Sequence, residues 1–204
     1  MNHNLITHLR RKQPDLDVLG KWAYIGNPKT GQKSVVMKTL ADRIICYRRG
    51  PRNWIRVWDN IIVPNIDNVL FFTFVRNPWD KVVSAFHYLK QRRPNRIGSD
   101  WEFTDYVKCK LGVIGTSIDI HFKEQTHSFM FNGKPIKQMF VGRFENIQND
   151  WDKIAKKIDA PPILAHDNKS THDDYRKYYN KECYDIVKKL YQEEIDLLGY
   201  SFGQ

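Results

Sequence analysis

Residues 69–79 read VLFFTFVRNPW, and the reading of this stretch settles the fold class. VLFFTFV is a continuous apolar run of strand length, the pattern of a central strand covered on both faces in a parallel sheet. It ends abruptly at Arg76-Asn77-Pro78. Proline is well placed in the first turn of a helix, where its missing N–H would have found no intrahelical partner. Trp79, Val82, Val83, Phe86 and Leu89 then fall on one helical stripe. The unit is therefore strand, cationic loop, helix.

Working outward, the same unit appears twice more. Residues 21–26 (KWAYIG) read as a short buried strand broken by Pro28 and Gly31, and residues 34–45 have helical spacing, with Val36, Met37, Leu40 and Ile44 on one face. Residues 138–142 (QMFVG) form a third apolar run, followed by Arg143-Phe144-Glu145 and a helix to Ile158 that Pro161-Pro162 ends. Ser99-Asp100-Trp101-Glu102 has the form of a capping box opening a helix to about Lys110. Asn180 is placed to cap a last helix that stops at Gly199. Residues 47–67, rich in Arg, Trp, Asn and Pro, are irregular. Trp79, Trp101 and Trp151 are assigned to the core. Alternating strands and helices define an α/β protein, and in such sheets ligands sit at the carboxyl ends of the strands.

The 204 residues carry no internal repeat or low-complexity linker, which predicts one domain over 1–204 with a loose lead at 1–20. No apolar run approaches the roughly 20 residues needed to span a bilayer, and MNHNLITHLRRKQP lacks the apolar centre of a signal peptide. A cytoplasmic protein is expected. Cys46, Cys109 and Cys183 are widely separated, with neither disulfide nor zinc spacing, and read as small buried hydrophobes. Thirty-three Lys and Arg against 23 Asp and Glu give a formal charge of +10, which favours anionic partners. The basic residues are scattered, with no RNP-like run and no helix-turn-helix pattern, so a small multiply charged anion held in one deep site fits as well as nucleic acid.

The chemistry gathers at the strand ends. Residues 24–36 (YIGNPKTGQKSVV) nearly spell the phosphate loop G-x-x-x-x-G-K-[ST], but Gln32 intrudes before Lys33-Ser34. Gly31 still lets the backbone approach an anion, the start of the Ser34 helix presents unpaired N–H groups, and Lys29, Thr30, Lys33 and Ser34 add charge and hydroxyls. A kinase would need a carboxylate for magnesium near the end of an apolar strand. The best strand ends instead in Arg76, suited to gripping a second anionic group, with Ser84 adding a hydroxyl from the polar side of the next helix. Arg143 follows the third strand. Two anion grips without a metal carboxylate suggest a ligand phosphorylated at two places and no metal. A P-loop nucleotide-dependent kinase and a basic nucleic-acid-binding protein on a P-loop scaffold are the alternatives.

Asn27-Pro28-Lys29-Thr30-Gly31 with Ser34, then FVRNPWDKVVSAF, VGRFENI and HDNKSTHDDYRKYY, resemble in order and spacing the carbohydrate sulfotransferases, particularly the group of Golgi glycosaminoglycan 2-O-sulfotransferases. The resemblance implies a P-loop-like three-layer fold with a central, mostly parallel sheet flanked by helices. It also implies sulfuryl transfer from 3′-phosphoadenosine 5′-phosphosulfate to a hydroxyl or amine, with a saccharide as the expected acceptor. On the family pattern Lys29, Thr30, Gly31 and Ser34 belong to the 5′-phosphosulfate loop, in which Pro28, Gln32 and Lys33 also stand as candidate donor contacts, and Arg76 and Ser84 belong to the 3′-phosphate grip. Lys29 lies near the oxygen bridging phosphorus and sulfur. Gln32-Lys33 stands where the family has Gly-Thr, so Lys33 either replaces the lost hydroxyl electrostatically or marks weaker donor binding. Members in the Golgi carry a membrane anchor, and this chain looks like a soluble microbial or viral relative.

An acceptor hydroxyl must lose its proton as sulfur arrives. The histidine that the glycosaminoglycan enzymes place before the 3′-phosphate strand has no counterpart in residues 56–60. His121, in DIHFKEQTHSF, is the first candidate, because related sulfotransferases often have a His followed shortly by Gln, here Gln125. It reads equally as a loop histidine that orders structure. Glu124 and Asp59 are weaker candidates, and His87 reads as structural. Glu145 reads as a partner of Arg143. Residues 166–179 resemble the loop that covers the donor, with Asn168, Lys169 and Ser170 at matching places and Tyr175, Tyr178 and Tyr179 as packing residues.

Overall fold

The computed structural model describes residues 22–31, 70–98, 100–131, 133–162 and 172–204. In chain order the main elements are β1 (Trp22–Tyr24), β2 (Leu70–Val75), α1 (Pro78–Arg92), α2 (Phe103–Tyr106), β3 (Met130–Phe131), β4 (Lys134–Pro135), β5 (Met139–Arg143), α3 (Ile147–Ile158), α4 (Lys181–Leu190) and α5 (Gln192–Leu198). Helices and a small parallel sheet make this an α/β protein, as the alternating pattern predicts. The helix expected at 34–45, the irregular stretch 47–67 and Cys46 lie outside the described residues.

The described residues fall into two compact units. In the first, β1, β2 and β5 pair in parallel in the order β1-β2-β5. β2 is the middle strand, which is why its sequence is apolar on both faces. Register sets Tyr24 beside Phe72 and Val75 beside Arg143, so the three carboxyl ends share one edge. One face packs on α3: Phe72, Phe74, Tyr24 and Trp22 meet Trp151, Ile154 and Ile158. Gly142 is required by this packing, since a Cβ there would lie 2.5 Å from the Phe74 ring. Beyond β1, the buried Asn27 amide donates to the Thr73 hydroxyl at 3.2 Å, the Phe74 carbonyl at 3.0 Å and the Ser128 hydroxyl at 2.7 Å. The Thr73 hydroxyl in turn donates to the Ile25 carbonyl at 2.6 Å. The first turn after β1 is thus held by side chains where the ladder stops.

The second unit is built on α1. The Asn77 side chain caps it by accepting from the Trp79 N–H at 3.1 Å, and Pro78 occupies the first turn. The expected stripe is buried, and so are Lys81, Ser84 and Ala85, so α1 is sunk on most of its circumference. Ser84 is therefore on a buried face rather than the polar side that the sequence suggested. Around α1 pack Phe103, Tyr106, Val107, Leu111, Phe122, Cys183, Val187 and Tyr191. Trp101, Tyr175, Tyr178 and Tyr179 are partly buried against the same core.

Three local expectations are corrected. α2 begins at Phe103 with Glu102 in the cap position and no side-chain cap bond, and the Glu102 carboxylate meets Lys90 at 3.2 Å. It runs on past Lys110 through a π-helical turn, Val107–Leu111, to Gly112–Ile114, a bulge that sequence periodicity does not announce. The last helix is two: Asn180 caps α4 by accepting from the Cys183 N–H at 2.9 Å, the chain breaks helical geometry at Tyr191, and α5 ends at Gly199 with φ 65°. Cys183 is buried as expected, but Cys109 is exposed, because it lies on the outer side of the π turn.

Candidate active site

Residues 28–30 belong to the second unit, together with Arg76 and α1. Lys29 has φ 67°, a left-handed conformation that is costly for a residue with a Cβ, and Gly31 follows with φ 76°. Contacts at both its carbonyl and its ammonium hold Lys29 there. Its carbonyl accepts from Arg76 Nη1 at 3.1 Å, and its ammonium lies 4.3 Å from the centre of the Tyr88 ring. Thr30 beside it is fully buried.

Arg76 is the hub. Nε and Nη2 donate to the two Asp80 oxygens at 2.7 and 2.9 Å, a bidentate pair whose side chains are 6% and 16% exposed. Its backbone is held as well: Gln125 Oε1 accepts from the Arg76 N–H at 2.8 Å, and Gln125 Nε2 donates to the Arg76 carbonyl at 2.8 Å. Gln125 is itself anchored by Glu194, which accepts from both its backbone N–H and its side-chain amide. Glu194 and Lys81 are both buried. Burial raises the Glu194 carboxyl above its ordinary range, an effect that Lys81 and the Gln125 bonds oppose. Burial likewise lowers the Lys81 amine, opposed by the charges of Glu194 and Glu124. The Lys81 ammonium donates to the Lys123 carbonyl.

Asp80, Ser84 and Tyr88 follow at four-residue spacing, which puts them on one face of α1. Asp80 meets Arg76, and Tyr88 meets Lys29. Ser84, between them, is 1% exposed, and its hydroxyl has no hydrogen-bond partner among the described residues. A buried hydroxyl left this way calls for a further partner, such as an ordered water or a polar ligand. Of the residues singled out for anion binding, Lys29, Thr30, Arg76 and Ser84 fall in one compact unit, and Arg76 contacts Lys29.

His121 joins the same face. Its ring centre is 4.9 Å from that of Tyr88, and its Nδ1 lies 2.5 Å from Asp119 Oδ1. Asp119 Oδ1 also accepts from the His121 backbone N–H at 3.0 Å, and Oδ2 accepts from Arg96 Nη1 at 2.5 Å. Burial alone would raise the Asp119 carboxyl, but the His121 and Arg96 bonds outweigh it and hold it well below the usual carboxylate range. Glu124 accepts from the Thr116 hydroxyl at 2.5 Å.

Arg143 belongs to the first unit, in register with Val75, and its backbone N–H donates to Asp150 at 2.8 Å. Glu145 is exposed in the turn Phe144–Asn146. His87 stacks on His172 at 5.5 Å and meets the Tyr178 edge at 4.9 Å. Gln32, Lys33, Ser34, Asp59, Asn168, Lys169 and Ser170 lie outside the described residues. Sequence reasoning missed Asp80, Tyr88, Asp119 and Glu194, and gave Gln125 no structural role. The i, i+4 series from Arg76 through Asp80 and Ser84 to Tyr88, and the short spacing Asp119-Ile120-His121, were the signals available.

A small parallel sheet is followed by a turn carrying Lys29 after its first strand and by Arg76 after its central one, in an α/β protein. A model described as the sulfotransferase family matches residues 22–201, and the chain belongs to that family, whose reaction is transfer of a sulfuryl group. An uncharacterized protein from Archaeoglobus fulgidus is 35% identical over 112 residues, covering 54% of this chain and 86% of that protein. No solved structure matches the chain. No helix among the described residues is long and apolar enough to cross a membrane.

Proposed function

We propose that the chain is a metal-independent sulfotransferase of one P-loop-like three-layer domain, using 3′-phosphoadenosine 5′-phosphosulfate. The acceptor is a hydroxyl, most consistent with a saccharide given the motif likeness to glycosaminoglycan 2-O-sulfotransferases. The observation that carries the donor assignment is the 3.1 Å bond from Arg76 to the Lys29 carbonyl. It ties the loop assigned to the phosphosulfate to the residue assigned to the 3′-phosphate, within one compact unit. The orphaned hydroxyl of Ser84 supports the same reading, since it lies on the helix face between them.

In this reading the donor supplies an activated sulfuryl group. Lys29 offers a cation to the oxygen that gains charge as the donor's bridging bond breaks, and its fixed turn removes the cost of orienting it during reaction. Ser84 and Thr30 supply hydroxyl donors. Arg76 braces the Lys29 turn while sharing its charge with Asp80, so any anion it grips is shared with that carboxylate. His121 is the base that takes the acceptor proton. Calorimetry with 3′,5′-adenosine bisphosphate against magnesium-ATP tests the donor, and sulfuryl transfer to a panel of saccharides tests the acceptor. Binding of magnesium-ATP alone would replace this reading with that of a kinase.

A further inference from the structure

We infer that Asp119, clamped by Arg96, is a positioning residue that fixes the tautomer of His121 and aims its Nε2 at the acceptor hydroxyl, beside the Tyr88 ring that Lys29 also contacts. This rests on the reading of His121 as base and goes beyond it by naming what makes the ring competent.

Three observations carry it. First, Asp119 Oδ1 receives both the His121 ring nitrogen, at 2.5 Å, and the His121 backbone N–H, at 3.0 Å, so one oxygen fixes the ring and its backbone together. A carboxylate is an acceptor only. The Nδ1 that faces it must carry the proton, leaving the Nε2 lone pair as the basic site of the neutral ring. Second, the carboxylate is 7% exposed and its other oxygen is taken by Arg96 at 2.5 Å, which keeps it ionised and stops it rotating away. Third, Tyr88 is shared. Its ring carries the Lys29 ammonium at 4.3 Å and meets the His121 ring at 4.9 Å, so one aromatic ring contacts both the cation and the base.

The step balances without a further reagent. The acceptor O–H gives its proton to His121 Nε2, its oxygen forms the new bond to sulfur, and the bond from sulfur to the donor's bridging oxygen breaks with its electron pair on the phosphate side. Lys29 faces that departing charge, and Asp119 faces the positive charge that His121 acquires.

The test combines a spectroscopic and a kinetic readout on the full chain. Long-range 15N–1H spectra of wild type are expected to show neutral His121 protonated at Nδ1, and Asp119→Ala to shift it toward the Nε2–H form. With 3′-phosphoadenosine 5′-phosphosulfate and a saccharide turned over by wild type, Asp119→Ala should lower kcat by roughly 100-fold or more with donor KM held within about threefold. Asp119→Glu should restore part of the loss. A wild-type His121 protonated at Nε2, or an Asp119→Ala variant with wild-type kcat, overturns the proposal. If wild type neither binds 3′,5′-adenosine bisphosphate nor transfers sulfuryl, the donor reading fails, and the wild-type tautomer spectrum still decides the Asp119–His121 relation.

Discussion

Arg76 Nη1 donates to the carbonyl of Lys29 at 3.1 Å across 47 positions of sequence. One bond therefore joins the loop after β1 to the residue after β2, and the left-handed φ of Lys29 persists because its carbonyl and its ammonium are both engaged.

Lys29→Gly separates the chemistry from the turn. Glycine adopts φ 67° freely and relieves a strain of about 1 kcal/mol, which offsets the lost cation–π contact. Its thermal midpoint should stay near that of wild type, while single-turnover sulfuryl transfer slows by roughly 100- to 1000-fold.

Arg76→Ala should be far more damaging to the fold. It strands Asp80 in a poorly solvated place and frees the Lys29 carbonyl, at a cost of about 3 kcal/mol. Urea unfolding should show the loss of stability, and calorimetry the loss of bisphosphate affinity. Unchanged affinity in a folded variant would count against a donor-site role for this arginine.

The Lys81–Glu194 pair gives a third expectation. Glu194→Gln keeps one acceptor for Gln125 but takes from the buried Lys81 the larger of its two counter-charges, with Glu124 remaining, and should destabilise by up to about 3 kcal/mol. Lys81→Met combined with Glu194→Gln should recover most of this, because both charges are held against the pull of burial. A double-mutant cycle in urea measures the difference.

His87 supplies a pH dependence. Burial, then the neighbouring His172 and Lys90, lower its pKa below the ordinary 6.5, against a smaller opposite effect of Glu102. The folded state thus favours the neutral ring. That contribution is present above pH 6.5 and is lost as pH falls through the lowered folded value. Tyr178 and Phe86 complete its surroundings. The thermal midpoint should drop on acidification, and His87→Phe should drop less; equal slopes would exclude His87 as the cause.

How far the sequence revealed this structure depends on the range of the interactions. β2 and β5 were legible because a strand covered on both faces must be apolar throughout, and the start of α1 because Asn77-Pro78 encodes its own cap. Lys29, Thr30, Arg76 and Ser84 were legible as anion-binding types, and the sulfotransferase family follows from their order. Asp119 was available two residues before His121, but only the fold shows that its carboxylate turns back onto the ring. The Gln125 and Glu194 contacts join positions 49 and 69 apart, and no local pattern announces them. The π turn at Val107–Leu111 and the break at Tyr191 arise from packing rather than from breaker residues.

The Gln125 side chain presents to Arg76 one N–H and one C=O at the spacing of a peptide group. In effect it is a strand one residue long, paired with Arg76 at the point where the main chain turns away into a helix. Only a carboxamide has both halves of that imitation. An isosteric Gln125→Glu exchange would set a second acid against Glu194 and leave the Arg76 carbonyl without its donor, so this position should accept no acid, however similar in shape.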